Sequence, residues 1–110
     1  VHMALKDVES AMGNFNRAMK ARPFDGTPYL RRGQALQMQK RYTESLKDFS
    51  RALELDDRIK QAYYFRAASH AELKQMPKAM ADLATFIKVT PAHPLLRNAR
   101  ALLAKLRRGK

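Results

Sequence analysis

The stretch from Thr27 to Asp57 lies on itself when it is moved forward by 34 residues. Tyr29 falls on Tyr63, Arg32 on Arg66, Gly33 on Ala67, Lys40 on Lys74 and Phe49 on Leu83. Moved back by the same step, Tyr42, Ser45, Phe49, Ala52 and Asp57 fall on Val8, Ala11, Phe15, Ala18 and Pro23. A fixed period of this length marks a solenoid, in which each unit buries its apolar face only against its neighbours.

Composition bounds the rest. A chain of 110 residues is one compact unit, and 45% hydrophobic content with four Gly and five Pro describes a folded chain. The absence of cysteine removes disulfides, thiolate nucleophiles and cysteine-bearing zinc sites. No apolar run approaches the roughly 20 residues of a membrane span, and no signal peptide is visible; these features leave the compartment undecided, with the cytoplasm as the expectation. Val1-His2-Met3 reads as a cloning remnant ahead of the natural sequence.

The formal charge is +12 and unevenly placed. Residues 1–25 hold four basic and three acidic side chains, whereas 94–110 hold six basic and no acidic ones, so the C-terminal end is the cationic one.

Hydrophobic spacing predicts an all-α chain of about six helices. Leu5, Val8, Ala11, Met12, Phe15, Ala18 and Met19 recur at three- and four-residue steps, giving an amphipathic helix over 4–21 that Pro23 ends. Further helices are expected over 28–39, 42–55, 60–74, 77–89 and 95–107. Thr27 and Thr43 are the expected N-caps, with Pro28 and Pro77 in first turns.

Period, helix-turn-helix layout and the placing of small and aromatic residues resemble the tetratricopeptide repeat, W-x2-L-G-x2-Y…A-x3-F…P. Tyr29, Gly33, Leu36, Ser45, Phe49 and Ala52 carry the likeness in one repeat, and Tyr63, Ala67, Ala79, Leu83 and Pro91 in the next. It covers nearly the whole chain: a second helix of a partial repeat (4–25), repeats at 26–59 and 60–93, and a basic capping helix at 94–110. Small residues at Gly33, Ala67, Ala101, Ala11, Ser45 and Ala79 are expected to let paired helices approach closely.

Two departures recur with the period. Arg32, Arg66 and Arg100 stand where the pattern has Leu, and Asp48 and Asp82 precede Phe49 and Leu83. The expectation is a ladder of intramolecular Arg–Asp bridges. Phe86 stands in place of a small residue and Arg97 and Ala104 in place of aromatics, and the expectation from these departures is that the stack terminates there.

The resemblance implies a non-catalytic protein–protein interaction scaffold whose first helices line a concave groove for a peptide or partner helix. By position that groove takes Thr27, Leu30, Arg31, Gln34, Gln37, Met38, Gln61, Tyr64, Phe65, Ala68, Leu95 and Asn98. Tyr64 and Phe65 are two aromatics beyond the structural Tyr63, and as an exposed pair beside Arg31 they would anchor a ligand. Some relatives grip a heat-shock chaperone's C-terminal carboxylate with a Lys/Asn set. The corresponding places here hold Leu30, Gln34, Phe65, Leu95 and Ala99, so binding by that clamp is not expected.

The alternative is a basic patch, Arg97, Arg100, Lys105, Arg107, Arg108 and Lys110, docking on nucleic acid, an anionic membrane or an acidic protein. No base-stacking aromatics accompany it. Uncovered Leu5, Val8 and Met12 on the first helix suggest self-association through that end, or a fragment of a longer array. No enzyme is expected and no cofactor or metal. His2, His70 and His93 form no ligand spacing, and there is no glycine-rich phosphate loop.

Overall fold

The computed structural model describes residues 5–109, with side chains from residue 10 onward. Val1-His2-Met3 and Lys110 lie outside the described residues. Six helices follow one another with no strand among them: α1 (Leu5–Ala21), α2 (Thr27–Met38), α3 (Tyr42–Leu55), α4 (Gln61–Glu72), α5 (Met76–Val89) and α6 (Leu96–Arg108). The sequence-based bounds hold to within two residues.

The expected caps do not. Thr27 is the first helical residue, and the N-cap is Gly26, with the Asp25 carboxylate accepting the Thr27 N–H at 2.9 Å. Glycine is needed there because α3 runs close by: a Cβ on Gly26 would lie 2.7 Å from the Ala52 carbonyl oxygen. Thr43 is likewise inside α3, whose N-cap is Arg41.

The turn inside each repeat is the same device twice. Arg41 N–H donates to Leu36 O (2.9 Å) and Lys40 N–H to Gln37 O (2.9 Å). Thirty-four residues on, Gln75 donates to His70 O (2.8 Å) and Lys74 to Ala71 O (3.0 Å). These are Schellman bonds, and they require a left-handed residue at the helix end. Here it is lysine both times, Lys40 at φ 62° and Lys74 at φ 63°.

Helices pack in sequence: α1 on α2, α2 on α3, α3 on α4, α4 on α5, α5 on α6. The first helices α2 and α4 also touch, whereas no two of α1, α3 and α5 meet comparably among the described residues. The side on which α2 and α4 meet is the inner face of the stack. The extents are 41 × 27 × 22 Å and the radius of gyration 14.1 Å. A compact domain of this length would have about 13 Å, so the shape is modestly elongated.

There are two cores rather than one. Leu30, Phe49, Ala52 and Ala62 form the first, and Ala67, Leu83, Phe86, Leu96, Ala99 and Leu103 the second. Bulk is traded between them. Small Ala52 shares its core with Phe65, while Phe86, 34 residues on from Ala52, shares its core with small Ala99. Volume is conserved at each joint, which close packing requires.

Candidate functional site

The predicted ladder is present and reaches further than its two residue types. Arg32 donates Nε to Asp48 Oδ2 (2.7 Å) and Nη2 to Oδ1 (2.8 Å). Arg66 does the same to Asp82, at 2.7 Å for both bonds. The remaining amino group reaches back to the preceding helix, Arg32 to Asn16 Oδ1 (2.9 Å) and Arg66 to Ser50 Oγ (3.2 Å). Each guanidinium also lies over a tyrosine one turn earlier, 5.7 Å from the Tyr29 ring centre and 5.6 Å from that of Tyr63. One arginine thus ties three helices together. Bonding to Asp48 and Asp82 raises the pKa of Arg32 and Arg66 above the usual arginine value, with burial opposing it. These cations are structural.

The ladder stops at α6. Arg100 is exposed and pairs with no acid among the described residues. Ala101 is exposed as well, which corrects its expected role as a close-approach position. α6 instead turns Leu96, Ala99 and Leu103 toward α5, and no described helix follows to cover the opposite side.

The twelve predicted groove residues divide into three groups. Thr27, Arg31, Met38 and Asn98 are exposed, Met38 to 44%. Gln34, Gln61, Ala68 and Leu95 are half-buried. The others are committed to the fold. Leu30 is 2% exposed and lies in the first core, because α2 and α4 touch over it, so it cannot contact a ligand as expected. Gln37 donates to Phe65 O (2.6 Å) and Ser69 Oγ (2.7 Å), clasping α2 to α4.

Tyr64 and Phe65 are not an exposed pair. Phe65 stacks on Phe49 (6.1 Å), Tyr64 meets Phe65 edge-on (5.4 Å), and Tyr64 packs on Phe86 (5.8 Å), which meets His93 (5.3 Å). They form an aromatic spine joining the two cores, with part of each ring left accessible.

A buried polar relay had no repeat signature to betray it. Ser69 stands where the preceding repeat has Ala35. Its hydroxyl, fully buried, lies 2.7 Å from that of Ser45, which donates to Tyr42 O (2.7 Å). Phe24, in the turn after α1, is 83% exposed and was not singled out either. Met12 lines a cleft of about 310 Å³ with Arg32, Leu36, Glu44, Lys47 and Asp48. The side chains of Leu5 and Val8 lie outside the described ones. Arg97, Arg100, Lys105, Arg107 and Arg108 are all exposed on α6. Among the described residues there is no cluster of three or more metal-ligating groups, and no helix is long and apolar enough to cross a membrane.

With this geometry in place, the likeness to known proteins is specific. Residues 27–59 match the tetratricopeptide repeat. The chain is an all-α helical solenoid with the fold of tetratricopeptide-repeat domains. Human serine/threonine-protein phosphatase 5 is 35% identical over 86 residues, which is 78% of this chain and 17% of that protein, so the chain spans only a small part of that relative. The TPR2B domain of yeast Sti1, solved in a complex with pHsp70, superposes with a TM-score of 0.86 at 22% identity, over 96% of this chain and 86% of that one. The Yersinia enterocolitica type III secretion chaperone SycD, solved with a peptide of the translocator YopD, gives a TM-score of 0.86 at 15% identity, over 93% and 81%.

Proposed function

We propose that this chain is a non-catalytic protein-interaction module that takes a peptide or a partner helix along the inner face of α2, α4 and α6. The observation that carries it is that Arg31, Gln34 and Met38 on α2 have accessible surface and no hydrogen bond to any described side chain, beside the accessible parts of Tyr64 and Phe65. Arginine, methionine and aromatics are the residue types in which interfaces concentrate binding energy. None of the twelve face residues is acidic, so a neutral or acidic ligand fits best. The Sti1 and SycD structures, with pHsp70 and a YopD peptide, support peptide capture by this fold. A Lys/Asn clamp for a chaperone's carboxylate is not part of the proposal: Leu30 and Ala99, at two of its positions, are buried.

The test is selection of displayed peptides on the whole chain, then affinity measurement with Arg31→Ala and Met38→Ala. Tyr64 and Phe65 are poor choices because their loss would first unpack the cores. Each substitution is expected to weaken selected peptides about tenfold, the effect of removing a ~1.4 kcal/mol contact. Peptides indifferent to both would refute the groove.

A second reading, electrostatic docking of nucleic acid, anionic membrane or acidic protein on α6, has its own support. No acid occurs after Asp82, and the α6 cations are exposed. Binding by this route falls steeply with salt.

A further inference from the structure

One repeat position holds a cation at every step along the chain. Lys6, Lys40, Lys74 and Arg108 follow one another at intervals of 34 residues. The side chain of Lys6 lies outside the described ones, and the other three are exposed. Lys40 and Lys74 occupy the turn inside a repeat, and Arg108 closes α6. Consecutive helices pack on one another and so alternate in direction. Both turns and the end of α6 therefore come to one edge of the stack, and the turns between repeats come to the other.

The backbone at this edge favours something other than lysine. Lys40 and Lys74 sit at φ 62° and 63°, the left-handed residue of a Schellman turn, where glycine or asparagine is least strained. A strained residue held at the same place twice points to a use for its side chain. The helix ends do not supply that use. Their carbonyls already accept the turn bonds, and Arg41 could offer a cation to the end of α2 with glycine at position 40. Neither lysine pairs with an acid among the described residues.

Arg41, Lys78 and Arg107 are exposed beside these cations, against Glu44, which Arg41 holds, and Glu72. The opposite edge is mixed in sign. Asp25, Asp56 and Asp57 stand in its turns, where Asp25 and Asp56 accept the Thr27 and Arg58 backbone N–H groups. Further repeats would stack on helix faces and leave the turn edges open, so the cationic row stays accessible whatever the length of the array.

We propose that this edge docks on an anionic membrane surface, with Lys40, Lys74 and Arg108 over the lipid headgroups. The proposal concerns neither the inner face nor α6 alone, since two of the three cations lie within the repeats. Two observations choose a bilayer from among polyanions. Because α2 and α4 touch, their cations stand about 10 Å apart, on turn tips rather than in the cleft beside Met12. Lysine there is a point charge on a flexible stem, suited to no fixed pattern of carboxylates, whereas headgroups in a fluid bilayer move to meet it. Met38, the last residue of α2, is 44% exposed two positions before Lys40. An apolar side chain among cations suits the boundary between headgroups and acyl chains.

The test is co-sedimentation of the whole chain with vesicles of phosphatidylcholine and phosphatidylserine in equal parts, with pure phosphatidylcholine as the neutral surface. Lys40→Asn with Lys74→Asn removes both charges and keeps residues that accept the left-handed turn, so the melting temperature should not fall. Lys40→Arg with Lys74→Arg keeps the charges. Lys20→Gln with Lys88→Gln, exposed cations near the opposite edge, is the charge-matched control. The parent is expected to bind only the anionic vesicles and to be released by salt. Each lysine near a membrane surface accounts for about fivefold in affinity, so the asparagine pair weakens binding roughly 25-fold. The arginine pair and the control retain it.

Four results overturn the proposal. Absence of binding to the anionic vesicles removes the membrane. An equal loss in the control pair reduces the effect to net charge. A loss with Arg97→Gln and Arg100→Gln but not with the asparagine pair returns the docking to α6. A DNA duplex or polyglutamate bound more tightly than vesicles of equal charge, with the same dependence on Lys40 and Lys74, makes nucleic acid or an acidic protein the occupant.

Discussion

Replacing Gly33 with alanine is expected to destabilise this protein, even though alanine is the better helix former by about 1 kcal/mol. A Cβ at Gly33 would lie 2.6 and 2.8 Å from two ring carbons of Phe49. That ring has nowhere to go, being fully buried and stacked on Phe65. Overpacking of a rigid core costs about 1–3 kcal/mol, and a contact this short belongs in the upper half of that range. The net loss is about 1–2 kcal/mol, or roughly 5–15 °C in Tm for a domain of this size. The second repeat shows the remedy, because Ala67 there faces Leu83. Phe49→Leu alone leaves a void and costs about 1–2 kcal/mol. Adding Gly33→Ala to it should then cost nothing or restore stability, with a coupling of about 1–3 kcal/mol between the two sites. Urea unfolding of the four proteins, followed by circular dichroism with a constant slope, gives the cycle. A neutral or stabilising Gly33→Ala in the parent, or a cost unchanged in the Phe49→Leu background, would refute the steric reasoning.

Lys40→Gly and Lys74→Gly are each expected to raise stability by about 0.5–1 kcal/mol, because relief of the left-handed backbone outweighs the entropy glycine adds to the unfolded chain; thermal melts check this, and a loss at either site would show that the lysine side chain contributes more than the strain. Asp82→Asn leaves Arg66, half-buried, without its carboxylate, and is expected to cost about 2–4 kcal/mol by urea unfolding, whereas Arg100→Gln, on an exposed cation that pairs with no acid among the described residues, should cost less than about 0.5 kcal/mol. Equal costs for the two would mean that the ladder contributes no more than surface charge.

Much of this was legible in the chain because the repeat states it more than once. Tyr, Arg and the small residue recur at 29, 32 and 33 and again at 63, 66 and 67, and the aspartates keep the same 16-residue distance from their arginines. Any geometry that satisfies one rung satisfies the next, so the bridges could be anticipated without coordinates. The third rung could not, since Ala84 stands where Asn16 and Ser50 supply the back-bond, and α6 has no described partner to bring an aspartate.

The inner face was read less well, and the cause is burial from several sides. Leu30 and Phe65 were assigned to the surface by their place in the repeat, yet α4 packs on α2, α3 and α5 at once. Little of its circumference remains free. Adjacent residues on a helix point about 100° apart, so Tyr64 and Phe65 reach different neighbours, Phe86 and Phe49, and knit the two cores together.

By itself the sequence determined the helices, their pairing and the arginine–aspartate rungs, because these depend on contacts between residues at fixed separations along the chain. Tertiary structure decided which side chains stay accessible: Arg31 and Met38 on α2, and Arg97, Arg100 and Ala101 on α6. Exposure is set by how many helices press on a position from other repeats, which no single repeat encodes.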